Sequence, residues 1–237
     1  MSFWQGIEKP IIGLSPMDGV TDASFRRVAA RYGRPDLCMT EFTSVEAICC
    51  GADSFVRDLS YGDYERPVLA QIYGHTPTAF YQVAHIVCEL GFDGLDINMG
   101  CPAKKVANKG SGAGLILNPE LAVAIIRATR QGIEDWASGQ QLEGVGLETE
   151  IVQRVRHMNR GRVRRATRNA IPLSVKTRLG YDEVAVDDWI PVLLSEEPAA
   201  ISLHGRTLKQ MYRGLADWDA IRRATELARE APTLILG

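Results

Sequence analysis

PVLAQIYGHTPTAFYQVAHIVCELGFDGLDINMG, residues 67–100, decides the fold because it reads as strand, helix and strand in immediate succession. Its two ends, PVLAQIYG and GLDINMG, are short and largely apolar, the form expected of strands buried on both faces. Between them Phe80, Val83, Ala84, Val87 and Leu90 fall on one helical face, with Thr76 as the predicted N-cap, Pro77 at the first helical position and Gly91 at the exit. Working outward, strand starts recur at Pro10, Leu37, Pro67, Gly94, Pro172, Ala200 and Pro232, so the spacings are 27, 30, 27, 78, 28 and 32 residues. One strand and one crossover helix fill each ordinary step. Such a march predicts an α/β fold, a (β/α)8 TIM barrel, with an open doubly wound sheet as the rival. Seven strands are visible and the chain ends in the seventh, so the reading is of a barrel truncated within or just after strand 7.

The 78-residue step holds two additions. One is a glycine-rich loop, GCPAKKVANKGSGAGLIL, followed by a helix that Asn118 and Pro119 open, with Leu121, Ile125 and Ala128 as its apolar stripe. The other is an insertion from about Gln131 to Asn169. Its residues 154, 156, 160, 162, 164, 165 and 168 are arginine with no acid among them, while the formal charge of the whole chain is −2 and of the rest −9. That asymmetry reads either as an accessory RNA-contacting segment or as a solvated, partly disordered surface excursion.

Composition excludes several classes. The chain is 46% hydrophobic and 24% charged, the balance of a globular protein and not of a disordered or membrane-spanning one. Near-neutral charge means that a nucleic-acid partner must be held by a local patch. Five cysteines, at 38, 49, 50, 88 and 101, form no CxxC pair, so neither a disulfide framework nor a thiolate metal site is expected. With no leader-like N-terminus or membrane span, a cytoplasmic protein without a membrane or metal partner is the expectation. The oligomeric state is not written in the sequence, and a monomer is the default.

In a (β/α)8 barrel the C-terminal ends of the strands carry the chemistry. Five ends are unusual: Ser15-Pro16-Met17, Gln71, Asn98 through Cys101, Lys176 with Arg178, and His204 with Arg206. Each alone has a plain structural explanation, since a cysteine is usually a small buried hydrophobe and a histidine usually a satisfied structural group. Cys101 stands out because glycines at 100, 110, 112 and 114 allow backbone to approach a ligand, with Lys104, Lys105 and Lys109 nearby. A lysine inside the strand SVKTRL is expensive unless it meets an anion or an electron-rich ligand. Lysine, imidazole, amide and thiol at neighbouring strand ends describe a ligand site with polar anchors. The glycine run matches neither GxGxxG nor GxxxxGK[ST].

PMDGVTDASFRR (16–27), AQIYG (70–74), GFDGLDINMGCPAKKVANKGSGAGLIL (91–117), VKTRLG (175–180) and ISLHGRT (201–207) resemble the successive signatures of the tRNA-dihydrouridine synthase family. The resemblance implies an FMN-bound barrel that reduces the C5–C6 double bond of a tRNA uridine with NADPH as reductant. By motif position, Cys101 is then the general acid that protonates C5 while reduced flavin N5 delivers hydride to C6. Ser15, Pro16 and Met17 line the isoalloxazine, and Gln71, Lys176 and His204 meet its polar edge, Lys176 stabilising the anionic reduced ring. Asn98 orients the uracil or flavin, and Arg178 and Arg206 lie on the substrate side. A stacked uridine has to leave its stack to reach such a site, at a cost of roughly a few kcal/mol. The same resemblance places the FMN phosphate on backbone after strands 7 and 8, and much of the tRNA surface on a C-terminal helical domain, and the expectation is that these 237 residues stop short of both.

Two other readings stand beside this one. An FMN-dependent barrel oxidoreductase of a small pyrimidine-like substrate shares the strand-end lysine, but does not predict the GCP loop followed by GSGAG. A non-catalytic RNA-binding remnant accounts for the arginine block and the missing strand.

Overall fold

The computed structural model describes residues 3–160 and 167–237. Seven strands follow the predicted starts: β1 Gly13–Leu14, β2 Leu37–Met39, β3 Val68–Tyr73, β4 Gly94–Met99, β5 Leu173–Arg178, β6 Ala200–His204 and β7 Leu234–Leu236. They lie in chain order along one sheet, and a two-residue strand, Thr43–Ser44, pairs beside β3. β1 with β2, β2 with β3, β5 with β6 and β6 with β7 pair in parallel, as in Gly13↔Leu37, Cys38↔Val68, Lys176↔Ser202 and Ala200↔Leu234. Helices alternate with the strands. This is the topology of the (β/α)8 barrel, because right-handed crossovers between sequential parallel strands build that order.

The chain divides into two compact units, Met1–Ile72 with Thr78–Leu95 and Ala128–Pro172, and Tyr73–Pro77 with Asp96–Arg127 and Leu173–Gly237. In the first, the loop after β1 is held from within. Met17 N donates to Thr21 Oγ1 at 2.9 Å. Arg26 donates to the Thr21 carbonyl at 2.9 Å, to the Ser60 carbonyl at 2.6 Å and to Glu65 at 2.6 Å. Both Arg26 and Glu65 are buried, so this ion pair survives only because its remaining polar atoms are also bonded, including Glu65 Oε1 to Gly62 N. Helix Pro77–Glu89 buries Phe80, Val83, Ala84 and Val87 as its periodicity predicts, and Leu90 just beyond it is buried too.

Helix Pro119–Ala137 is entered as predicted, with Asn118 Oδ1 accepting from Leu121 N at 3.1 Å. Its buried line differs from the predicted stripe: Ile125 is enclosed, but Leu121 and Ala128 are half-buried, and Ala122, Ile126, Thr129, Ile133 and Trp136 complete the inner face. The helix runs to Ala137, so the first seven residues of the predicted insertion are its last two turns. Beyond it, helix Thr149–Asn159 docks on the first unit through Ile151, Val152 and Val155. Three arginines of the basic block are tied internally. Arg154 bonds Asp53, Glu150 and the Gly51 carbonyl; Arg156 bonds Glu143; Arg168 donates to the Trp136 and Gln140 carbonyls and stacks over the Trp136 ring. Arg160 is exposed, and Arg162, Arg164 and Arg165 lie outside the described residues.

In the second unit, strand alternation sorts β5 into two faces. Thr177 accepts from Trp189 Nε1 at 3.0 Å and donates to the Met99 carbonyl at 3.1 Å, which turns it towards helix Val186–Leu194. Ser174, Lys176 and Arg178 take the opposite face, where Ser174 Oγ donates to Asp96 at 2.6 Å.

Candidate active site

Six of the predicted site residues, Asn98, Cys101, Lys176, Arg178, His204 and Arg206, belong to the second unit, and two of them, Asn98 and Arg178, bond the backbone of Gly100 and Cys101. Asn98, two residues beyond Asp96 on β4, accepts from Gly100 N at 3.1 Å and from Cys101 N at 2.8 Å. This side-chain-closed turn ends the strand and aims the next residue. Arg178 closes the other side: its Nε donates to the Gly100 carbonyl at 2.7 Å, and Nη1 to the carbonyls of Thr207 and Met211 at 3.0 and 3.1 Å. One guanidinium therefore joins the loop after β4 to the loop after β6. Cys101 is buried to 9% exposure and forms no disulfide.

The glycines after Cys101 were expected to admit a ligand; two of them instead admit neighbouring protein. A Cβ at Gly112, where φ is +57°, would lie 3.0 Å from the Cys101 carbonyl oxygen and 3.1 Å from its Cβ. A Cβ at Gly114 would run into the Ala107 carbonyl. The missing Cβ at Gly112 lets the glycine-rich turn pack directly on the cysteine's backbone, where Ala113 N donates to the Cys101 carbonyl at 3.2 Å, and the one at Gly114 lets the turn close on Ala107. Lys104, Lys105 and Lys109 are exposed on the same loop.

Lys176 and His204 complete the group. Burial pulls the Lys176 ammonium below its usual range, with Asp96 acting against that and Arg178 adding to it. Burial, then Arg178, Lys176 and Arg206, lower His204 to about 4. Its imidazole is neutral at pH 7, and because Arg206 Nη1 only donates, His204 Nε2 at 3.3 Å is the acceptor and Nδ1 carries the proton. Arg206 is also tied to the Gly214 carbonyl at 2.8 Å. The register places Arg178 beside His204 and Lys176 beside Ser202 on parallel neighbours. Arg178 is 2% exposed, with its hydrogen bonds on backbone carbonyls.

The remaining four candidates lie on the first unit. Ser15 and Met17 are exposed and Pro16 half-buried on the loop after β1, while Gln71 is fully buried in β3, its backbone N donating to Thr40 Oγ1 at 3.0 Å.

Sequence reading missed Asp96, the fully buried carboxylate whose charge reaches Lys176. A charged residue inside a largely apolar strand, two positions before Asn98, was the available signal. It also missed Tyr212, 73% exposed, with its ring 5.9 Å from the Arg178 guanidinium and 6.3 Å from His204. Nothing in a loop tyrosine's sequence position announces that contact.

The donor set suits an electron-rich, planar heterocycle: a desolvated ammonium, a neutral imidazole with an N–H, and a guanidinium whose charge acts on the thiol-bearing residue. Among the described residues no group of three or more His, Cys, Asp or Glu is placed to hold a metal, and no helix is long and apolar enough to cross a membrane.

A family model described as dihydrouridine synthase (Dus) matches residues 13–137 and 153–234. The chain is 35% identical to a probable tRNA-dihydrouridine synthase of Staphylococcus aureus (strain COL) and to a probable tRNA-dihydrouridine synthase 2 of Bacillus subtilis (strain 168). Each alignment takes in 99% of this chain and 62% of the relative. A probable tRNA-dihydrouridine synthase of Staphylococcus epidermidis (strain ATCC 12228 / FDA PCI 1200) is 34% identical over the same shares. The chain thus spans 62% of the length of these curated relatives.

Proposed function

Because the chain belongs to the dihydrouridine synthase family, we propose that it reduces the C5–C6 double bond of a uridine in tRNA, with FMN as cofactor and NADPH as reductant. The observation that carries this reading is the held cysteine: Asn98 and Arg178 fasten the backbone on both sides of the Gly100–Cys101 peptide, on the unit that also carries Lys176 and His204. Lys176 and His204 would help to hold FMN, which would supply the hydride equivalent for C6.

The protein's own residues do the rest. Cys101 Sγ gives its proton to C5, and the neighbouring Arg178 charge stabilises the thiolate that remains. Arg178 acts here chiefly by holding the loop, with Arg206 nearer to solvent for the substrate side. Lys176 presents a cation that gains by meeting electron density, which offsets its desolvation. His204, neutral, offers Nδ1–H as a hydrogen-bond donor. Asn98 keeps the Cys101 backbone aligned through its side-chain oxygen. On the first unit, Ser15, Pro16, Met17 and Gln71 are assigned to flavin contacts.

The test is to incubate flavin-loaded protein and its Cys101→Ala variant with unmodified tRNA and NADPH, and to map dihydrouridine by mass spectrometry. Product from the wild type alone is expected. Equal product from the variant removes the assigned acid, and none from either removes the activity. Bound flavin should fall in Lys176→Met and Gln71→Leu.

A further inference from the structure

We infer that His75 and Ser111 form a latch that sets the position of the Cys101 loop, making His75 a positioning residue that acts through Ser111. His75 lies just past the end of β3, beyond the AQIYG motif, and its Nδ1 is 3.2 Å from Ser111 Oγ. Both belong to the second unit. Their separation of 36 residues means that the bond ties one strand-end segment to the glycine-rich turn.

Ser111 sits where that turn is decided. It is 3% exposed, its N–H donates to the Val106 carbonyl at 3.2 Å and its carbonyl accepts from Gly114 N at 3.0 Å. The next two residues are the ones packed on the cysteine: Gly112, with no room for a Cβ beside Cys101, and Ala113, which donates to the Cys101 carbonyl. A displacement of Ser111 is therefore passed to the Cys101 backbone within one or two residues. A serine hydroxyl both donates and accepts, so it pairs with either tautomer of the ring, and also with the protonated ring. Asn98 and Arg178 restrain the segment before the thiol, and the latch restrains the turn packed against it.

The importance of the latch for turnover rests on the proposed role of Cys101, but its effect on the thiol does not. The experiment is iodoacetamide alkylation of the intact chain at one fixed pH, with the rate at each cysteine read by mass spectrometry. Exposed Cys50 serves as the internal standard and buried Cys88 as the reporter of wider opening. His75→Leu and Ser111→Ala should each raise the Cys101 rate relative to Cys50 by about threefold or more, the factor that one hydrogen bond of ordinary net strength is worth. The double variant should be no faster than the faster single, since both remove the same bond. His75→Asn and Ser111→Thr, which keep a hydrogen-bonding group, should return the rate towards wild type.

Unchanged rates, additive singles, absence of rescue, or an equal rise at Cys88 would each overturn the latch. Alkylation requires neither flavin nor tRNA. Loss of the latch with dihydrouridine still formed removes only this inference, and a latch that holds in a protein inert on tRNA removes only the proposed function.

Discussion

His204 shows how a single side chain ties the site to stability. Its folded state is held neutral down to about 4, whereas an unfolded histidine takes its proton near 6.5. Between those values the unfolded chain binds more protons, so stability rises with pH there and is lost as pH falls from about 6.5 towards about 4. Urea midpoints across that window should drop for the wild type and drop less for His204→Asn. An equal slope in both would show that the imidazole is not the group responsible. The residues of this site were legible where they end strands, because a barrel gathers strand ends. Asp96 and Tyr212 were not, because their relevance comes from the Lys176 and Arg178 charges that packing brings to them.

At the scale of elements, helix Pro119–Ala137 illustrates the limit of periodicity. A stripe read from apolar residues alone included Leu121 and Ala128, yet the helix turns its Ala122–Ile126–Thr129–Ile133 side inward. The cause is a close approach: a Cβ at Gly132 would lie 2.5 Å from the Tyr81 carbonyl and 2.9 Å from Ala84 Cβ. A glycine in mid-helix is unfavourable by propensity, and only the neighbouring helix explains it. Gly132→Ala should therefore destabilise the chain by about 1–3 kcal/mol in urea titration, although the same change in an exposed helix would stabilise it. A neutral or stabilising result would mean that the two helices do not meet at this point.

Helix Ala23–Tyr32 fails in the opposite sense. Its spacing puts Phe25, Val28 and Tyr32 on one face, yet these are 43%, 57% and 75% exposed and the enclosed residue is Arg26. Burial of an arginine was unreadable because its stabilising partners, Glu65 and the Ser60 carbonyl, are 39 and 34 residues away.

For the whole molecule, the charge asymmetry was plain in the sequence, but its use was not. Arg154, Arg156 and Arg168 neutralise local acids and cap local carbonyls, so their charge is already committed within the first unit. Replacing these three by Gln should lower the melting temperature while leaving the salt dependence of tRNA binding unchanged. A shallower salt slope with unaltered melting would return these arginines to the RNA.

The sequence by itself determined the order of strands and crossovers, the strand ends that carry polar groups and the family, because local periodicity and contiguous motifs are written residue by residue. Only the tertiary structure decided that Arg178 clamps two loops, that Gly112 and Gly114 make room for protein, and that the arginines of helix Thr149–Asn159 are paired. Those outcomes depend on which distant carbonyl or carboxylate lies within hydrogen-bond reach, and that distance exists only after the chain has folded.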